Sequence, residues 1–312
     1  MVRMKKKVFI DGKAGTTGLR IEERLSGRDD VEIISLPEEK RKDLEARRQM
    51  LNSADFVFLC LPDAAAIEAV SLIENPEVTV IDASTAHRTN PAWAYGFPEL
   101  SEEFEKKIIE SKRIATPGCH ASGFIALVYP LIKEGILPAN ANLCVHSLTG
   151  YSGGGKKMIA EYESEVRSPL LDAPRQYGIS QMHKHLPEMA KITGLDKPPL
   201  FSPIVAGFYS GMEVTVPLFR EQLLRGGTEE IKDVYKKYYN TKLVYYNEAS
   251  EDGFLSAAAL SGKDAMEISV HGNDDRFLLV ARYDNLGKGA SGAAVECLNI
   301  KLGCDRTKTL EV

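Results

Sequence analysis

A cysteine at a predicted helix start is the residue of this sequence best suited to covalent chemistry. The strand-like segment Arg113–Ala115 leads into Pro117 and Gly118, a pair that breaks regular structure. The segment Ala121–Val128 that follows is apolar enough to form a buried helix. Cys119 is therefore predicted at or next to a helix N-terminus, where unpaired amides and the helix dipole favour the reactive thiolate. The alternative, the commoner fate of a free cysteine, is a small buried hydrophobe.

A nucleophilic cysteine needs a nearby acid or base, and histidine usually supplies it. Among six histidines, His183 and His185 form a His-x-His pair, and on an extended segment both would point to one side. His120 adjoins Cys119, but the side chains of neighbouring residues seldom face each other productively. Glu188 is predicted either to orient a histidine of the pair or to cap the helix that follows. We expect one catalytic histidine from the pair, with a helper.

A glycine-rich turn lies between a short apolar strand, Val8–Ile10, and a helix-like segment, Leu19–Leu25. Its spacing, G-x-x-G-x-x-G, departs from the usual G-x-G-x-x-G, and it lacks the ending of a Walker A loop. Such a turn lets the backbone approach a pyrophosphate while the helix N-terminus faces its charge. The alternative is a tight turn without a ligand. The residues predicted to hold a pyrophosphate are Gly12, Gly15, Thr16, Thr17 and Gly18.

Strands and helices alternate over the first part of the chain, which predicts a doubly wound parallel sheet. The predicted strands after the first are Val31–Leu36, Ala54–Leu61, Thr79–Ala83 and Arg113–Thr116, with helices at Ala64–Glu74 and Ser101–Ser111. We therefore expect an α/β Rossmann-like, NADP-binding domain over residues 1–118. A C-terminal helix, within 288–312, is expected to return to this domain.

After Val128 the strands follow one another with few helices between them, which predicts a mixed, largely antiparallel sheet in an α+β domain. Its expected strands are Leu143–Leu148, Ile204–Ala206, Met212–Phe219, Lys242–Asn247, Met266–His271 and Phe277–Tyr283. The expected helices are Lys156–Val166, Thr228–Tyr238 and, at the end of the chain, Ala290–Leu302. We assign residues 119–287 to catalysis and oligomerisation.

The end of the second strand bears on the cofactor. An NAD site usually has an acidic residue there, for the ribose 2′-hydroxyl. Here Ser35-Leu36-Pro37 ends the strand and Lys40-Arg41-Lys42 lies just beyond, so a hydroxyl and cations are available for a 2′-phosphate. This favours NADP, although Glu38 and Glu39 weaken the argument and a solvated charge run is the alternative.

Composition excludes several classes of partner. With 312 residues, a net charge of −5 and no concentrated basic patch, nucleic acid is not an expected partner. The sequence shows neither a signal-peptide pattern nor an apolar run that could cross a membrane. The five cysteines contain no Cys-x-x-Cys, and neither zinc nor any other metal site is expected. We expect a cytoplasmic protein.

A dinucleotide-binding turn, a cysteine at a helix start and a distant histidine together indicate one kind of reaction. The thiolate attacks an acyl carbonyl, a leaving group departs, and the thioester accepts a hydride from a nicotinamide. This combination resembles the aldehyde dehydrogenases of the glyceraldehyde-phosphate and semialdehyde type.

A closer resemblance rests on segments that lie in order along nearly the whole chain: Gly12–Leu19, Ile81–Thr89, Tyr95–Leu100, Pro117–Cys119, Gly150–Lys157, His183–Glu188 and Asp284–Gly292. These segments resemble the N-acetyl-gamma-glutamyl-phosphate reductases of arginine biosynthesis, in their shorter second type. The resemblance implies a glyceraldehyde-phosphate-dehydrogenase-like fold. It also implies an NADP-dependent reduction of N-acetyl-glutamyl 5-phosphate to N-acetyl-glutamate 5-semialdehyde and phosphate, through a cysteine thioester.

The same resemblance assigns roles to residues. Cys119 would be the nucleophile, and His185, in preference to His183, the acid or base. The remaining implied contacts are to the cofactor at Ser84, Thr85 and Asn285, and to an acyl phosphate substrate at Arg88, Tyr151, Ser152 and Lys156. A solvated surface position is the alternative for Arg88. His120 departs from the family, which more often has a tyrosine there, and a homo-oligomer, dimer or tetramer, is implied.

Three other functions stay open. An aspartate-semialdehyde dehydrogenase would use the same chemistry on a shorter substrate, although the segment His183–Glu188 speaks against it. A carrier-protein-linked relative of lysine biosynthesis would differ in substrate alone. A nucleotide sensor that has lost its chemistry is disfavoured because Cys119 and both histidines of the pair are present.

Overall fold

Two sheets with their helices make up the fold. The computed structural model describes residues 5–41, 43–248 and 250–312, so Lys42 of the predicted cation run lies outside the described residues. Contacts between Cα atoms divide the chain into two compact units. Unit 1 takes the described residues within Met1–Pro98, Glu102–Pro117 and Ala290–Leu310, and unit 2 takes those within Glu99–Ser101, Gly118–Gly289 and Glu311–Val312.

The sheet of unit 1 is parallel. Its strands are β1 (Lys6–Asp11), β2 (Val31–Ile34), β3 (Phe56–Leu59), β4 (Thr79–Asp82), β5 (Ala94–Tyr95) and β6 (Arg113–Ala115). They lie in the order β2-β1-β3-β4-β6-β5, and the pairs they form are parallel. Strands β3 and β4 are buried at every residue, as expected for strands covered on both faces. The predicted Rossmann-like fold is confirmed.

The helices of unit 1 that lie before Gly118 are α1 (Thr16–Leu25), α2 (Leu44–Ser53), α3 (Asp63–Ser71) and α4 (Glu102–Glu110). Helix α1 begins three residues earlier than its apolar pattern predicts, within the glycine-rich turn itself. Helix α2 was not predicted. Its buried face includes Arg47, whose guanidinium pairs with Asp11 at 2.9 Å, so a charged residue interrupts the apolar pattern by which buried helix faces are recognised.

The sheet of unit 2 is mixed. Its strands are β7 (Cys144–Gly150), β8 (Arg175–Gln176), β9 (Leu200–Ala206), β10 (Met212–Phe219), β11 (Val244–Tyr246), β12 (Met266–Gly272) and β13 (Arg276–Tyr283). They lie in the order β11-β12-β13-β10-β7-β9-β8. The pairs β7–β9 and β11–β12 are parallel and the other pairs are antiparallel, which confirms the predicted mixed, largely antiparallel sheet.

The helices of unit 2 are α5 (Cys119–Lys133), α6 (Gly155–Glu163), α7 (Leu186–Thr193) and α8 (Thr228–Tyr238). Helix α5 packs against β10, β13, α7 and α8, and most of its residues are buried. Pro130 lies inside α5 and cannot donate an amide to the carbonyl of Ala126. The hydroxyl of Tyr239 donates to that carbonyl instead, at 2.6 Å, so the proline leaves no buried acceptor unsatisfied.

The last helix, α9 (Gly292–Leu302), follows a π-helical turn at Gly287–Ser291. It packs against α1, α4 and β4 of unit 1, and its residues from Gly292 to Asn299 are buried. No helix in the described ranges has both the length and the apolar character needed to cross a membrane.

Candidate active site

Cys119 is the first residue of α5, as the sequence predicts. Gly118 is the N-cap and has extended backbone angles, φ −75° and ψ 145°, so the chain turns directly from Pro117-Gly118 into the helix. The amides of the first helical turn have no partners within the helix, and their partial positive charge stabilises a thiolate. Cys119 is partly exposed, in contrast to the completely buried Cys297.

A tyrosine hydroxyl holds the first turn of α5. Tyr283 donates to the carbonyl of Cys119 at 2.5 Å and accepts the amide of Gly123 at 3.0 Å. These two backbone groups are four residues apart, the spacing at which a regular helix bonds carbonyl to amide. A Cβ atom on Gly123 would lie 2.8 Å from the Tyr283 oxygen and 2.7 Å from a methyl carbon of Val214. The glycine therefore permits the close approach of the hydroxyl.

The residue after the nucleophile candidate lies in a hydrogen-bonded chain. Nδ1 of His120 is 2.7 Å from Oγ of Ser147, and Nε2 is 2.5 Å from the hydroxyl of Tyr177. Burial, together with the charge of nearby His183, lowers the pKa of His120 to about 3. His120 is therefore a neutral imidazole at physiological pH.

The His-x-His pair joins His120 in one cluster. The ring centroids of His183 and His185 are 4.7 Å apart. The ring centroid of His120 lies 5.8 Å from that of His183 and 5.7 Å from that of His185. The rings of His120 and His183 also pack on Phe201. Burial and the charge of Lys184 lower the pKa of His183. Its position next to Cys119 gave no reason to expect His120 beside the pair, and the first turn of α5 places its ring there.

Glu188 takes a role that the sequence analysis did not include. Its Oε1 accepts the backbone amide of Gly118 at 2.8 Å, and the side chain is almost completely buried. The carboxylate thus joins the helix that follows the histidine pair to the N-terminus of α5. The packing of α5 against α7 places the two helices at this distance.

The other predicted residues of unit 2 lie at the end of β7 and after β13. Asn285 accepts the amide of Gly211 at 2.9 Å and donates to Oγ of Ser152 at 3.0 Å, and both side chains are buried. Tyr151 stacks on Tyr162 with ring centroids 4.7 Å apart. Lys156, in the first turn of α6, is exposed. The structure therefore brings Asn285 and Ser152 together, and their side chains form hydrogen bonds within unit 2.

The glycine-rich turn of unit 1 combines two kinds of glycine. Gly12 has a φ of +86°, and a Cβ there would lie 2.4 Å from the carbonyl oxygen of Cys60. A Cβ on Gly18 would lie 2.6 Å from Cα of Lys13, so packing requires both glycines. Gly15 has an ordinary φ of −74°, and the first atom that its Cβ would meet is a carbonyl oxygen at 3.4 Å. Packing therefore does not explain the glycine at position 15.

A cavity explains the glycine at position 15 better than packing does. Gly15 is the N-cap of α1, and Thr16 and Thr17 are the first two residues of that helix. These residues line a cavity of about 180 Å³ together with Cys60, Leu61 and Ala83. The N-terminus of a helix and a missing side chain suit the approach of a pyrophosphate. Burial raises the pKa of the Cys60 thiol to about 12, which disfavours its thiolate, and Cys60 is one of the residues that line the cavity.

A second cavity of unit 1, of about 210 Å³, lies beside the first residues of the turn. Its lining residues are Phe9, Ile10, Asp11, Gly12, Lys13, Ala14, Ser35, Leu36, Arg41 and Leu61. The serine and the arginine on which the prediction of NADP rests therefore share one cavity with the glycine-rich turn. Arg41 also pairs with the exposed Glu38 at 3.1 Å.

The residues after β4 are held by internal hydrogen bonds. Asp82 accepts the hydroxyl of Ser84 at 2.8 Å and lies 2.6 Å from Nδ1 of His87. Thr85 donates its hydroxyl and its amide to Asp63. Arg88 is 8% exposed and donates to the carbonyls of Thr116 and Ala83, so a solvated surface position for it is wrong.

Comparisons with known proteins identify the family. Residues 21–108 match the model of the semialdehyde dehydrogenase NAD binding domain, and residues 119–285 match that of the semialdehyde dehydrogenase dimerisation domain. N-acetyl-gamma-glutamyl-phosphate reductase 2 of Nostoc sp. is 46% identical over 313 residues, covering 96% of this chain and 97% of that protein. The reductase of Sinorhizobium medicae is 44% identical over 308 residues, covering 96% and 99%. This chain belongs to the N-acetyl-gamma-glutamyl-phosphate reductase family.

Solved structures similar to this member of the reductase family share its fold at low identity. Aspartate semialdehyde dehydrogenase II of Vibrio cholerae, complexed with ASA, has a TM-score of 0.73 at 15% identity, covering 96% of this chain and 99% of that chain. Aspartate semialdehyde dehydrogenase of Candida albicans, with NADP, has a TM-score of 0.68 at 16% identity, covering 95% and 98%. The predicted fold class is confirmed. This chain is 44–46% identical to the two reductases and 15–16% identical to these two dehydrogenases.

Four residues around the cysteine of this reductase-family chain were missed as candidates: Ser147, Tyr177, Tyr283 and, in its observed role, Glu188. Each reaches the first turn of α5 through long-range packing of unit 2. No local motif marks a lone tyrosine or serine for such a role. The available signal was the departure at His120, because a buried histidine requires two hydrogen-bonding partners.

Proposed function

We propose that this protein catalyses the NADP-dependent reduction of N-acetyl-glutamyl 5-phosphate to N-acetyl-glutamate 5-semialdehyde and phosphate, in arginine biosynthesis. The observation that carries the proposal is the setting of Cys119, at the N-terminus of α5 and next to the cluster of His120, His183 and His185. Membership of the reductase family supplies the substrate.

In the first half of the reaction, Sγ of Cys119 attacks the acyl carbon of the substrate. The bond from that carbon to the phosphate oxygen breaks, phosphate leaves with the electron pair, and a thioester remains on the cysteine. Phosphate needs no proton to leave. The task of the protein in this half is to keep the thiol ionised, which the amides and dipole at the start of α5 favour.

In the second half, NADPH, when bound, supplies the hydride that reduces the thioester carbonyl. We assign to His185 the proton transfer to the carbonyl oxygen of the substrate as charge develops there. The carbon–sulfur bond then breaks as the same histidine takes the proton back from the oxygen, so that the aldehyde leaves and the thiolate of Cys119 is regenerated. His183, whose pKa is lowered by burial and by the charge of Lys184, is the alternative acid.

The residues proposed to hold NADP belong to unit 1. The amides of Thr16 and Thr17 would bind the pyrophosphate, Gly15 would leave room for it, and Gly12 and Gly18 keep the turn in its conformation. Ser35 and Arg41 would bind the 2′-phosphate in the adjoining cavity. The cofactor contacts assigned to Ser84, Thr85 and Asn285 stay predictions, since their side chains already bond within their own units.

The substrate contacts at Arg88, Tyr151, Ser152 and Lys156 also stay predictions. Lys156 has the exposed ammonium that a phosphate or carboxylate would require. Arg88 already donates to two carbonyls, so a substrate would have to bind N–H groups of the guanidinium that these carbonyls do not use. We further propose that the protein is a homo-oligomer, a dimer or tetramer, and acts in the cytoplasm.

The deciding experiment follows NADPH formation from N-acetyl-glutamate semialdehyde and phosphate, with wild type and Cys119→Ala. Phosphate-dependent turnover that the substitution abolishes is the expected result. Aspartate semialdehyde, assayed in parallel, separates this reductase from the dehydrogenase alternative. A carrier-linked substrate tests the lysine-pathway alternative, and absence of turnover with all three substrates would leave the nucleotide sensor.

A further inference from the structure

A buried ion pair of unit 2 takes no part in the proposed reaction. Nζ of Lys288 is 2.6 Å from Oε1 of Glu99, and the two side chains are 3% and 1% exposed. Both residues belong to unit 2, although 189 residues separate them in the sequence. The other carboxylate oxygen, Oε2, is also buried and has no hydrogen-bond partner in the described part of the chain. The carboxylate of Glu99 therefore depends on Lys288 as its donor.

The energetics of a buried ion pair indicate a role other than stability. Two charges lose their hydration when they are buried, and the attraction between them does little more than offset this loss. Apolar residues of similar size would often give equal stability. What the ion pair adds is one defined geometry, because the ammonium and the carboxylate must meet at hydrogen-bond distance. The segment that carries Lys288 is therefore the part of the molecule that the pair fixes.

That segment is residues 287–289, the part of the π-helical turn that belongs to unit 2. The carbonyl of Asp284 accepts the amides of Gly287 and Gly289, at 3.1 Å and 3.0 Å. A Cβ on Gly287 would lie 2.0 Å from the carbonyl oxygen of Lys263, so this residue packs directly on another stretch of backbone. Lys288 lies between the two glycines, and its ion pair is a third point at which the segment is fixed.

The same segment packs against the cysteine. A Cβ on Gly289 would lie 3.2 Å from Cβ of Cys119 and 3.4 Å from its Cα. Both distances are shorter than the optimal separation of two carbon atoms, about 3.5–4.0 Å, so the glycine is what allows the backbone to lie this close. The backbone at Gly289 therefore forms one wall of the space around the side chain of Cys119.

We propose that the ion pair Lys288–Glu99 positions Cys119, because it holds the backbone of Gly289 beside the Cβ of the cysteine. This inference rests on the proposed role of Cys119 as the nucleophile. All three are positioning residues, and none of them exchanges a proton or an electron pair in the reaction. Without the pair, the segment moves more freely and Sγ gains alternative positions about the Cα–Cβ bond. The sulfur is then less often directed at the acyl carbon.

The test is the ¹³C NMR spectrum of protein labelled at the Cβ atoms of its cysteines, recorded without substrate. Five cysteines give signals, and Cys119→Ala identifies the one in question. Glu99→Leu/Lys288→Met removes both charges and retains side chains of similar size, so no unpaired charge is buried. We expect the signal of Cys119 to shift or broaden in this variant, while the signals of Cys144 and Cys297 stay in place.

Gly289→Ala tests the contact itself. It leaves the ion pair intact and places a methyl group against the cysteine, so the signal of Cys119 should change here as well. Combined with the loss of the ion pair, the two effects should not add, because both displace one contact. Gly207→Ala is the matched control, since the first atom that its Cβ would meet is 3.6 Å away, and it should leave the signal of Cys119 unchanged.

A second control removes a buried cation that lies beside a different cysteine. The side chain of Arg28 is 0% exposed, and its Nη2 lies 3.7 Å from Sγ of Cys304. Arg28→Met should therefore change the signal of Cys304 and leave that of Cys119 unchanged. This control establishes that the spectrum responds when a charge is lost next to a cysteine.

Turnover gives a second readout. The ion-pair variant and Gly289→Ala should lower kcat about tenfold or more, since a misplacement of about 1 Å can cost about 100-fold. KM for NADPH should stay at the wild-type value, because the residues proposed to hold the cofactor belong to unit 1. A merely structural role of the ion pair would instead lower the temperature of unfolding and leave kcat of the folded protein unchanged.

A folded Glu99→Leu/Lys288→Met variant with the wild-type signal of Cys119 would overturn the inference. So would an equal change in the signals of all five cysteines, because it would indicate a general loss of packing. If this variant does not fold, Glu99→Asp takes its place, since it keeps both charges and shortens the reach of the carboxylate. The spectra need no substrate. Failure of the proposed function would therefore appear separately, as a wild-type protein that does not reduce the acyl phosphate although its variants show the expected spectra.

Discussion

The carboxylate of Glu188 accepts a hydrogen bond from the backbone amide of Gly118, with 2.8 Å between the oxygen and the nitrogen. This bond joins the N-cap of the cysteine helix to the helix that follows the histidine pair. Both residues are buried, so water cannot replace either partner. The relative position of Cys119 and His185 therefore depends on a hydrogen bond between two other residues, Gly118 and Glu188.

Glu188→Ala is expected to destabilise the protein and lower its activity. It leaves the buried amide of Gly118 without its acceptor, which costs about 1–3 kcal/mol. Glu188→Gln retains a carbonyl oxygen and should lose much less. Urea unfolding and kcat/KM, measured on both variants, check the prediction, and equal stability of the two would contradict it.

Gly123→Ala is expected to cost about 1–3 kcal/mol, the usual range for overpacking. The added methyl would lie 2.7 Å from Val214 and 2.8 Å from the hydroxyl of Tyr283, so the contact at the first turn of α5 must open. Gly207→Ala is the control, since the first atom its Cβ would meet is 3.6 Å away. Thermal unfolding of both variants distinguishes the effect of the local clash from the general effect of replacing a glycine by alanine.

The stability of the fold should fall in mild acid because of His120. Its pKa in the folded protein is lowered to about 3, below the 6.5 of an unperturbed histidine, so below pH 6.5 only the unfolded chain takes up the proton. Stability is therefore present above pH 6.5 and is lost as the pH decreases toward 3. Between about pH 5.5 and about pH 4, wild type should lose about 1.4 kcal/mol per pH unit more than His120→Gln. The free energy of unfolding of both proteins is measured with urea as a function of pH. An equal decrease in the two proteins would contradict this prediction.

Gly15→Ala is expected to fold normally and to bind the dinucleotide poorly. Its φ is ordinary and its Cβ has room within the turn, but the methyl would stand beside the cavity that Thr16 and Thr17 line. We expect the Kd for NADPH to rise about tenfold or more, the loss of about 1.4 kcal/mol of binding energy. Gly12→Ala, at a φ of +86°, should instead destabilise the protein itself. Calorimetric titration and thermal unfolding separate the two effects.

Arg41→Ala is expected to raise KM for NADPH about tenfold and leave KM for NADH unchanged. The guanidinium lines the cavity with Ser35, and a charge-assisted hydrogen bond to a phosphate contributes about 1.5–3 kcal/mol. Its exposed ion pair with Glu38 competes for the same charge. Lys40→Ala, a neighbouring exposed cation, is the control, and an equal effect on both cofactors would contradict the role of Arg41.

Local signals allowed prediction of the elements. Pro117-Gly118 before an apolar segment predicted the start of α5, and alternation of apolar residues predicted β10, whose buried and half-buried residues alternate from Met212 to Leu218. Helix α2 escaped because Arg47 lies on its buried face. The short strands β5 and β8 have two residues each, too few to show a period.

The surroundings of the cysteine could not be predicted in the same way. Tyr177 and Ser147 meet His120 across 57 and 27 residues of sequence, and the order of strands in unit 2 determines that meeting. Asn285 carried a predicted role, but its partners Gly211 and Ser152 lie 74 and 133 residues away in the sequence. A sequence pattern identifies residue types suited to chemistry. The partners that orient them are set by tertiary packing.

The placement of α9 ties the completion of unit 1 to the order in which the chain is synthesised. A ribosome releases all strands of its sheet first, then residues Gly118–Gly289 of unit 2, and after them the helix whose buried Ala294, Val295 and Leu298 belong to the core of unit 1. Until then the nascent sheet lacks the packing of α9 against β4 and α1. The core of unit 1 is thus completed after the sheet of unit 2 although it is begun first, and a chain that lacks α9 leaves this apolar surface uncovered.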